Sequence, residues 1–148
     1  MTAIPIIRGP DPRLLQVSRP VNWGTDAEAL YDLRDTFNDM KGRAWGLSAC
    51  QIGHMIRAIW VKGIGRMVNP VVTLEDDMML EAPEECLSYP WLKGVKVVRS
   101  RAGLVKFELG DQRAIESRFE GLTWRCVLHE IDHLNGITIE TRRRKRLA

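Results

Sequence analysis

The sequence predicts an α+β fold, and three observations carry the prediction. Short apolar, partly β-branched segments fill the middle of the chain, a helix with two non-solvent faces comes after them, and strand and helix do not alternate as a parallel sheet requires. The 148 residues suffice for one domain with its own core. Hydrophobic residues make up 45% and charged residues 28%, which excludes a wholly disordered chain. No apolar run approaches the ~18 residues that span a bilayer, so no membrane is expected as a partner. The stretch from Met1 to Arg8 is too short for a secretory signal. Cys50, Cys86 and Cys126 are odd in number and far apart, which argues against a disulfide framework and for a reducing, cytoplasmic setting.

The first clear element is a helix from Asp26 to Lys41. Thr25 and Glu28 have capping-box spacing, Leu30, Leu33, Phe37 and Met40 recur at helical spacing, and Gly42 is a stop signal. Strands are expected over Ala58–Val61, over Met67–Leu74 around an Asn69-Pro70 break, over Val95–Val98 and over Leu104–Leu109. Gly94, Gly103 and Gly110 punctuate them. A second helix runs from Leu122 to Leu134 and ends at Asn135-Gly136. At ~100° per residue, Leu122, Cys126, His129, Glu130 and His133 share one stripe. Val127, Ile131 and Leu134 share another, with Trp124 near its edge. Such a helix belongs in the middle of a small fold.

The net charge of +3 comes from the end of the chain, where Arg142, Arg143, Arg144, Lys145 and Arg146 stand together. Without them 17 basic residues face 19 acidic ones. The chain therefore divides into one domain, residues 1–141, and a basic tail, residues 142–148. A block of like charges is in its plain reading a solvated terminus; the functional alternative is a salt-sensitive contact with RNA phosphates.

The chemistry sits in His129-Glu130-Ile131-Asp132-His133, a His-Glu-x-x-His motif. Histidines at i and i+4 project from one helical face and can grip one cation, while the Glu between them is free to act as a base. A catalytic site of this type needs a third protein ligand and an open position. Downstream only Glu140 follows, and Ile139 stands where the longest protease version of the motif has its last His. The third ligand therefore comes from upstream, with Cys86, Cys126, Cys50 and His54 as candidates. Cys126 lies on the metal stripe, but a short side chain there tilts toward the helix N-terminus and away from residues 129 and 133. Cys86, in Pro83-Glu84-Glu85-Cys86-Leu87-Ser88, would complete a Cys-His-His set.

His-Glu-Ile-Asp-His at 129–133, Glu-Glu-Cys-Leu-Ser at 84–88 and Gly-Leu-Ser-Ala-Cys-Gln at 46–51 resemble the three signature motifs of the peptide deformylases, in that family's order. The likeness extends through Gly121-Leu122 and Leu134-Asn135-Gly136 and covers about residues 5 to 140. It implies an α+β fold with antiparallel sheets around a central metal-bearing helix. It implies removal of the formyl group from the N-formylmethionine of nascent chains, with release of formate. By resemblance, Cys86, His129 and His133 match the metal ligands, Glu130 the acid–base, Gln51 the side-chain oxyanion donor and Leu87 the backbone N–H donor. The implied cofactor is one divalent ion, Fe(II) in cells, with Zn(II), Ni(II) or Co(II) in a purified sample. Such an ion lowers the pKa of water toward neutrality. Glu130 would take the water's proton and later pass it to the departing amine. Gln51 and Leu87 would meet the charge on the formyl oxygen.

Substrate binding is expected to lay an extended peptide along a strand edge, with an apolar pocket for the Met side chain. Gly46, Glu85, Leu122, Arg125 and Cys126 are the residues assigned to it, and Trp91 is a candidate to close the pocket. The chain departs from the family at Glu85, where Gly is usual and where a positive φ would strain a Glu. Ala44 and Ser48 replace a Gly and an Ala, and Trp45 is bulky for its place. The long C-terminal helix of many bacterial members is expected to be missing, as in short forms that include bacteriophage-encoded ones. The enzyme is expected to be a monomer in the bacterial or host-cell cytoplasm, its basic tail offering at most a weak ribosome or RNA contact. Two other readings share the motif: a metalloprotease, which lacks its downstream ligand, and a non-enzymatic metal core with four closed ligands that presents a basic arm to RNA.

Overall fold

A computed structural model describes residues 3–40 and 42–147, the side chains of 146 and 147 excepted. Lys41, the expected end of the first helix, and Ala148, the expected end of the tail, lie outside the described residues, as does the Arg146 side chain. The elements in order are α1 (Ala27–Asp39), β1 (Gly46–Ser48), β2 (Ala58–Val61), β3 (Gly65–Glu75), β4 (Met79–Glu84), β5 (Val95–Ser100), β6 (Ala102–Glu108), β7 (Ala114–Glu120), α2 (Gly121–Leu134) and α3 (Ile139–Leu147). Two antiparallel sheets result, one of five strands in the order β1-β2-β3-β6-β7 and one made of β4 and β5. The α+β architecture expected from the sequence is the one observed. No helix among the described residues is long and apolar enough to cross a membrane.

β2 shows why the fold closes around α2. Its run Ala58-Ile59-Trp60-Val61 is apolar throughout because both of its faces are covered. Ala58 and Trp60 pack with Leu30, Leu33 and Phe37 of α1. Ile59 and Val61 pack with Trp124, Val127, Ile131 and Leu134 of α2. Trp124 is fully buried, with its Nε1–H donating to Ser100 Oγ at 2.9 Å. Truncating such a residue typically costs about 3–5 kcal/mol. A third cluster joins the small sheet to the chain ends through Leu14, Cys86, Tyr89, Val95, Val97 and Ile139.

The Asn69-Pro70 break is a bulge inside β3, where the register to β6 shifts between Val68 and Val71. Asn69 takes φ 50° there and is held by its own side chain, which accepts from Val21 N at 2.8 Å and donates to Glu108 at 2.7 Å. Such an Asn tolerates the left-handed region because these bonds offset its cost.

Two expectations are corrected. The capping box of Thr25 and Glu28 does not form: the N-cap of α1 is Asp26, and no side chain bonds the first turn. The Asp26 carboxylate is taken instead by the Arg19 fork, at 2.8 Å on each oxygen, and by the Asn22 N–H. Helix runs through the start of the expected basic tail. Residues 142–147 continue α3, and Arg142 grips Asp132 of α2 at 2.6 and 2.8 Å while Arg143 and Arg144 pair with Glu140. Like charges stay helical here because three of them find carboxylates. Finally, β1, β4 and β7 stand where no strand was expected.

Candidate active site

α2 turns His129 and His133 toward the end of β4 and the turn after it, and Glu130 toward β1. Cys86 faces them from the turn after β4, where Tyr89 N–H donates to Cys86 O at 3.0 Å. Among the described residues, Cys86, His129 and His133 form the one group of at least three such side chains whose donor atoms all lie within 4.8 Å of one another. Cys86 Sγ and His133 Nε2 are 3.3 Å apart. Tetrahedral coordination with ordinary bond lengths sets such ligand–ligand distances at about 3.3–3.6 Å, so the donors fit a divalent cation. A thiolate with two imidazoles suits Zn(II) and Fe(II) by its softness. No fourth His, Cys, Asp or Glu joins the group among the described residues, which argues against a closed structural site. The remaining candidates point elsewhere. Cys50 Sγ faces Ser48 Oγ and the His133 carbonyl, His54 pairs with Asp32 at 3.0 Å, and Cys126 Sγ lies against Gly46.

Glu84 orients the histidine nearest it. Burial by itself would raise the Glu84 pKa, but hydrogen bonds from Arg99 and His129 outweigh it and hold the group at about 2. A carboxylate so firmly ionised only accepts, so His129 Nδ1 is the donor across their 3.1 Å contact, and His129 Nε2 is left to the cation. Burial, helped by the charges of His129 and Arg99, lowers the His133 pKa and keeps that imidazole neutral.

Glu130 is 4% exposed, and its Oε1 meets no polar partner among the described residues. Burial pushes its pKa up to about 7, against the pull of His129. A carboxyl group tuned there can take and return a proton near neutral pH. It sits close to β1 because residue 46 is Gly. A Cβ at Gly46 would stand 2.8 Å from both Glu130 Oε2 and Cys126 Sγ.

Gln51 lies in the single 3₁₀ turn after β1, Ala49–Ile52, and is 2% exposed. Its Oε1 accepts from Ser48 N–H and Oγ–H, both at 3.0 Å, which fixes the amide. Nε2 then donates to Ser88 Oγ at 3.0 Å and lies 3.8 Å from Cys86 Sγ. The Leu87 N–H donates to no described group, and Leu87 borders the same cleft.

That cleft has a volume of about 680 Å³. Gly46, Glu85, Leu122, Arg125 and Cys126, the five residues assigned to substrate, all line it. Two expectations about its walls change. Glu85 is absent from the non-glycine residues with positive φ, which among those described are Asn69 and Gln112, so its backbone is unstrained. Its carboxylate stands at the mouth beside Lys93, 3.6 Å away. Trp91 is 57% exposed and packs edge-on against Tyr89 outside the cleft, so it closes nothing. Arg125 lines the cleft but spends its guanidinium on Glu84 and on the carbonyls of Leu80, Ala82 and Val97, clamping β4 and β5 to α2. Sequence reasoning missed Glu84, Ser88 and Arg99. Of these, Glu84 and Ser88 carried a signal, their places two residues on either side of Cys86.

What the fold and cleft define is a metal-dependent hydrolase, with a buried carboxyl beside a soft three-donor group that fits a cation. The family model described as polypeptide deformylase matches residues 3–147. The chain belongs to that family. It is 37% identical to the peptide deformylase of Psychrobacter arcticus, over 93% of this chain and 77% of that one. The crystal structure of the peptide deformylase from Thermotoga maritima superposes with a TM-score of 0.86 at 29% identity, covering 96% of this chain and 98% of that one. A Met-Ala-Ser-bound peptide deformylase from Acinetobacter baumannii superposes with a TM-score of 0.83 at 27% identity, covering 95% of this chain and 98% of that one.

Proposed function

We propose that this chain removes the N-formyl group from the formylmethionine of nascent polypeptides, releasing formate, with Cys86, His129 and His133 as metal ligands. The convergence of those three side chains beside the buried Glu130 carries the reading. Membership of the deformylase family supports the reaction. When bound, the divalent cation supplies Lewis acidity that makes water nucleophilic near neutral pH. Glu130 holds the proton taken from water and returns it to the leaving amine. Gln51 Nε2 and the Leu87 N–H stand ready to meet the charge that develops on the formyl oxygen, each worth a few kcal/mol in such a role. The cation in cells is Fe(II), with Zn(II), Ni(II) or Co(II) able to occupy the same donors.

The substrate is an N-formylmethionyl peptide, and Gly46, Leu122, Arg125 and Cys126 border the space for its first side chain, with Glu85 at the mouth. The likeness to a deformylase solved with Met-Ala-Ser supports this placement. The chain works as one catalytic unit, a monomer in the cytoplasm where nascent chains emerge, and the outward cations of α3 add a weak, salt-sensitive contact with ribosomal RNA. The test is formate release from a formyl-Met peptide by anaerobically prepared, metal-quantified protein. Turnover that disappears in Glu130→Gln while the metal stays bound supports the assignment. Protein that carries a full complement of Fe(II) yet releases no formate overturns it.

A further inference from the structure

The ion pairs behind His129 do not stop at Glu84. Arg99 is 2% exposed in its side chain and lies between two carboxylates. Its Nε and Nη2 donate to Glu84 at 2.6 and 2.8 Å, and its Nη1 donates to Asp132 Oδ2 at 3.0 Å. Asp132 is in turn gripped from outside by Arg142 of α3, Nε on Oδ2 at 2.6 Å and Nη2 on Oδ1 at 2.8 Å. Charge alternates along the whole chain, from Arg142 through Asp132, Arg99 and Glu84 to the imidazole of His129.

We propose that Arg142 is a positioning residue for the metal ligand His129, acting through Asp132, Arg99 and Glu84; the proposal rests on the metal-site reading above. The physical reason is competition for one guanidinium. Both oxygens of Asp132 are covered by Arg142, so Arg99 can turn its planar Nε–Nη2 fork on Glu84 and spare Asp132 a single Nη1 bond. Without Arg142, Oδ1 of the nearly buried Asp132 loses its hydrogen-bond donor. Leaving such an oxygen bare is costly, and the group able to cover it is Arg99. Arg99 then turns toward Asp132 and releases Nη2 from Glu84 Oε1. That is the oxygen that accepts the His129 Nδ1–H. Glu84 then keeps its Oε2 bond to Arg125 but loses the fork that fixes its plane, so the partner that sets the tautomer and rotation of the ring is placed less firmly and the cation is held less well.

The geometry also separates the residues of α3. Arg142 reaches Asp132, while Arg143 and Arg144 reach only Glu140 on their own helix. A relay predicts that Arg142 matters to the metal and that its neighbours do not.

The test compares wild type with Arg142→Gln, Arg142→Lys and Glu140→Gln, the last freeing Arg143 and Arg144 without touching Asp132. Zinc affinity is read by chelator competition, and the ligand field by the visible absorption of the Co(II)-substituted protein, each below the measured unfolding temperature of every variant. Arg142→Gln is expected to weaken zinc binding roughly threefold to tenfold, less than loss of a direct second partner usually does, and to shift the Co(II) spectrum. Arg142→Lys should recover part of the loss, since it restores charge but not the fork. Formate release should fall in kcat with KM unchanged. Zinc affinity and Co(II) spectrum equal to wild type in Arg142→Gln overturn the relay. So does an equal loss in Glu140→Gln, which would make the docking of α3 the cause. A wild-type protein that retains no zinc at all overturns the metal-site reading itself, and is distinguished by that control.

Discussion

Oε1 of Glu84 accepts the His129 Nδ1–H at 3.1 Å while Oε2 of the same carboxylate is held by Arg99 at 2.6 Å and by Arg125 at 3.0 Å. One acidic side chain thus ties the motif helix to the small sheet and sets which imidazole nitrogen faces the cleft. Replacing Glu84 by Gln keeps the shape and one accepting oxygen but removes the charge. Zinc affinity, measured by chelator competition, should drop roughly tenfold or more. Arg99, left with Asp132 as its one carboxylate, should also cost about 3 kcal/mol of stability, measured by denaturant unfolding.

Gln51 is positioned by Ser48 and Ser88, with one longer contact to Cys86 at 3.8 Å. Gln51→Ala is therefore expected to keep its metal and lose turnover, with kcat for formate release down by about 10²–10³. Metal analysis of the same preparation checks the first half, and an unchanged kcat would remove Gln51 from the oxyanion role.

Gly46→Ala puts a methyl group against Glu130 Oε2 and Cys126 Sγ, at 2.8 Å from each before anything moves. Overpacking of this kind costs about 1–3 kcal/mol, and a displaced base should lower kcat by at least about tenfold. Adding Cys126→Ala removes one of the two clashes. The double variant should regain stability, read by thermal unfolding, more fully than it regains activity.

Asp26 gives a pH prediction far from the metal site. The hydrogen bond from Arg19, assisted by the Asn22 N–H and opposed by burial, lowers its pKa from 3.8 to about 2. The folded value lies below the unfolded one, so its stabilisation is complete above pH 3.8 and disappears as pH falls through about 2. Arg19 is 58% exposed, and solvent screening reduces the gain to about 1 kcal/mol. Asp26→Asn should be less stable than wild type by that amount near neutral pH and equal to it below about pH 2. Urea unfolding across the pH range measures the convergence.

What could be read from the sequence was whatever a single segment encodes. The stripe of Leu122, Cys126, His129, Glu130 and His133 placed a helix and a cation grip because helical spacing is local, and α2 begins one residue from the expected start. β4 was illegible because Glu81, Pro83 and Glu84 break any apolar alternation. It is a strand through its pairing with β5 and the clamp of Arg125, a residue of a distant helix. β7 did carry alternation, Ile115, Ser117 and Phe119 against Glu116, Arg118 and Glu120, and escaped notice beside its charged partners. α3 was not legible because a run of cations looks solvated until Asp132 and Glu140 are known to lie within reach. The place of Glu84 beside Cys86 was legible but its use was not: that comes from Arg99 and His129, 15 and 45 residues away.

Cys86 packs in the apolar cluster of the small sheet, whereas the helix bearing both histidines is rooted in the cluster of the large one. A cation gripped by all three therefore acts as a keystone between two separately packed halves. By mass action, each tenfold rise in free ion beyond saturation should add about 1.4 kcal/mol to the folded state. The melting temperature of this protein is then a gauge of its mineral supply, and starvation for that mineral would weaken the scaffold along with the chemistry.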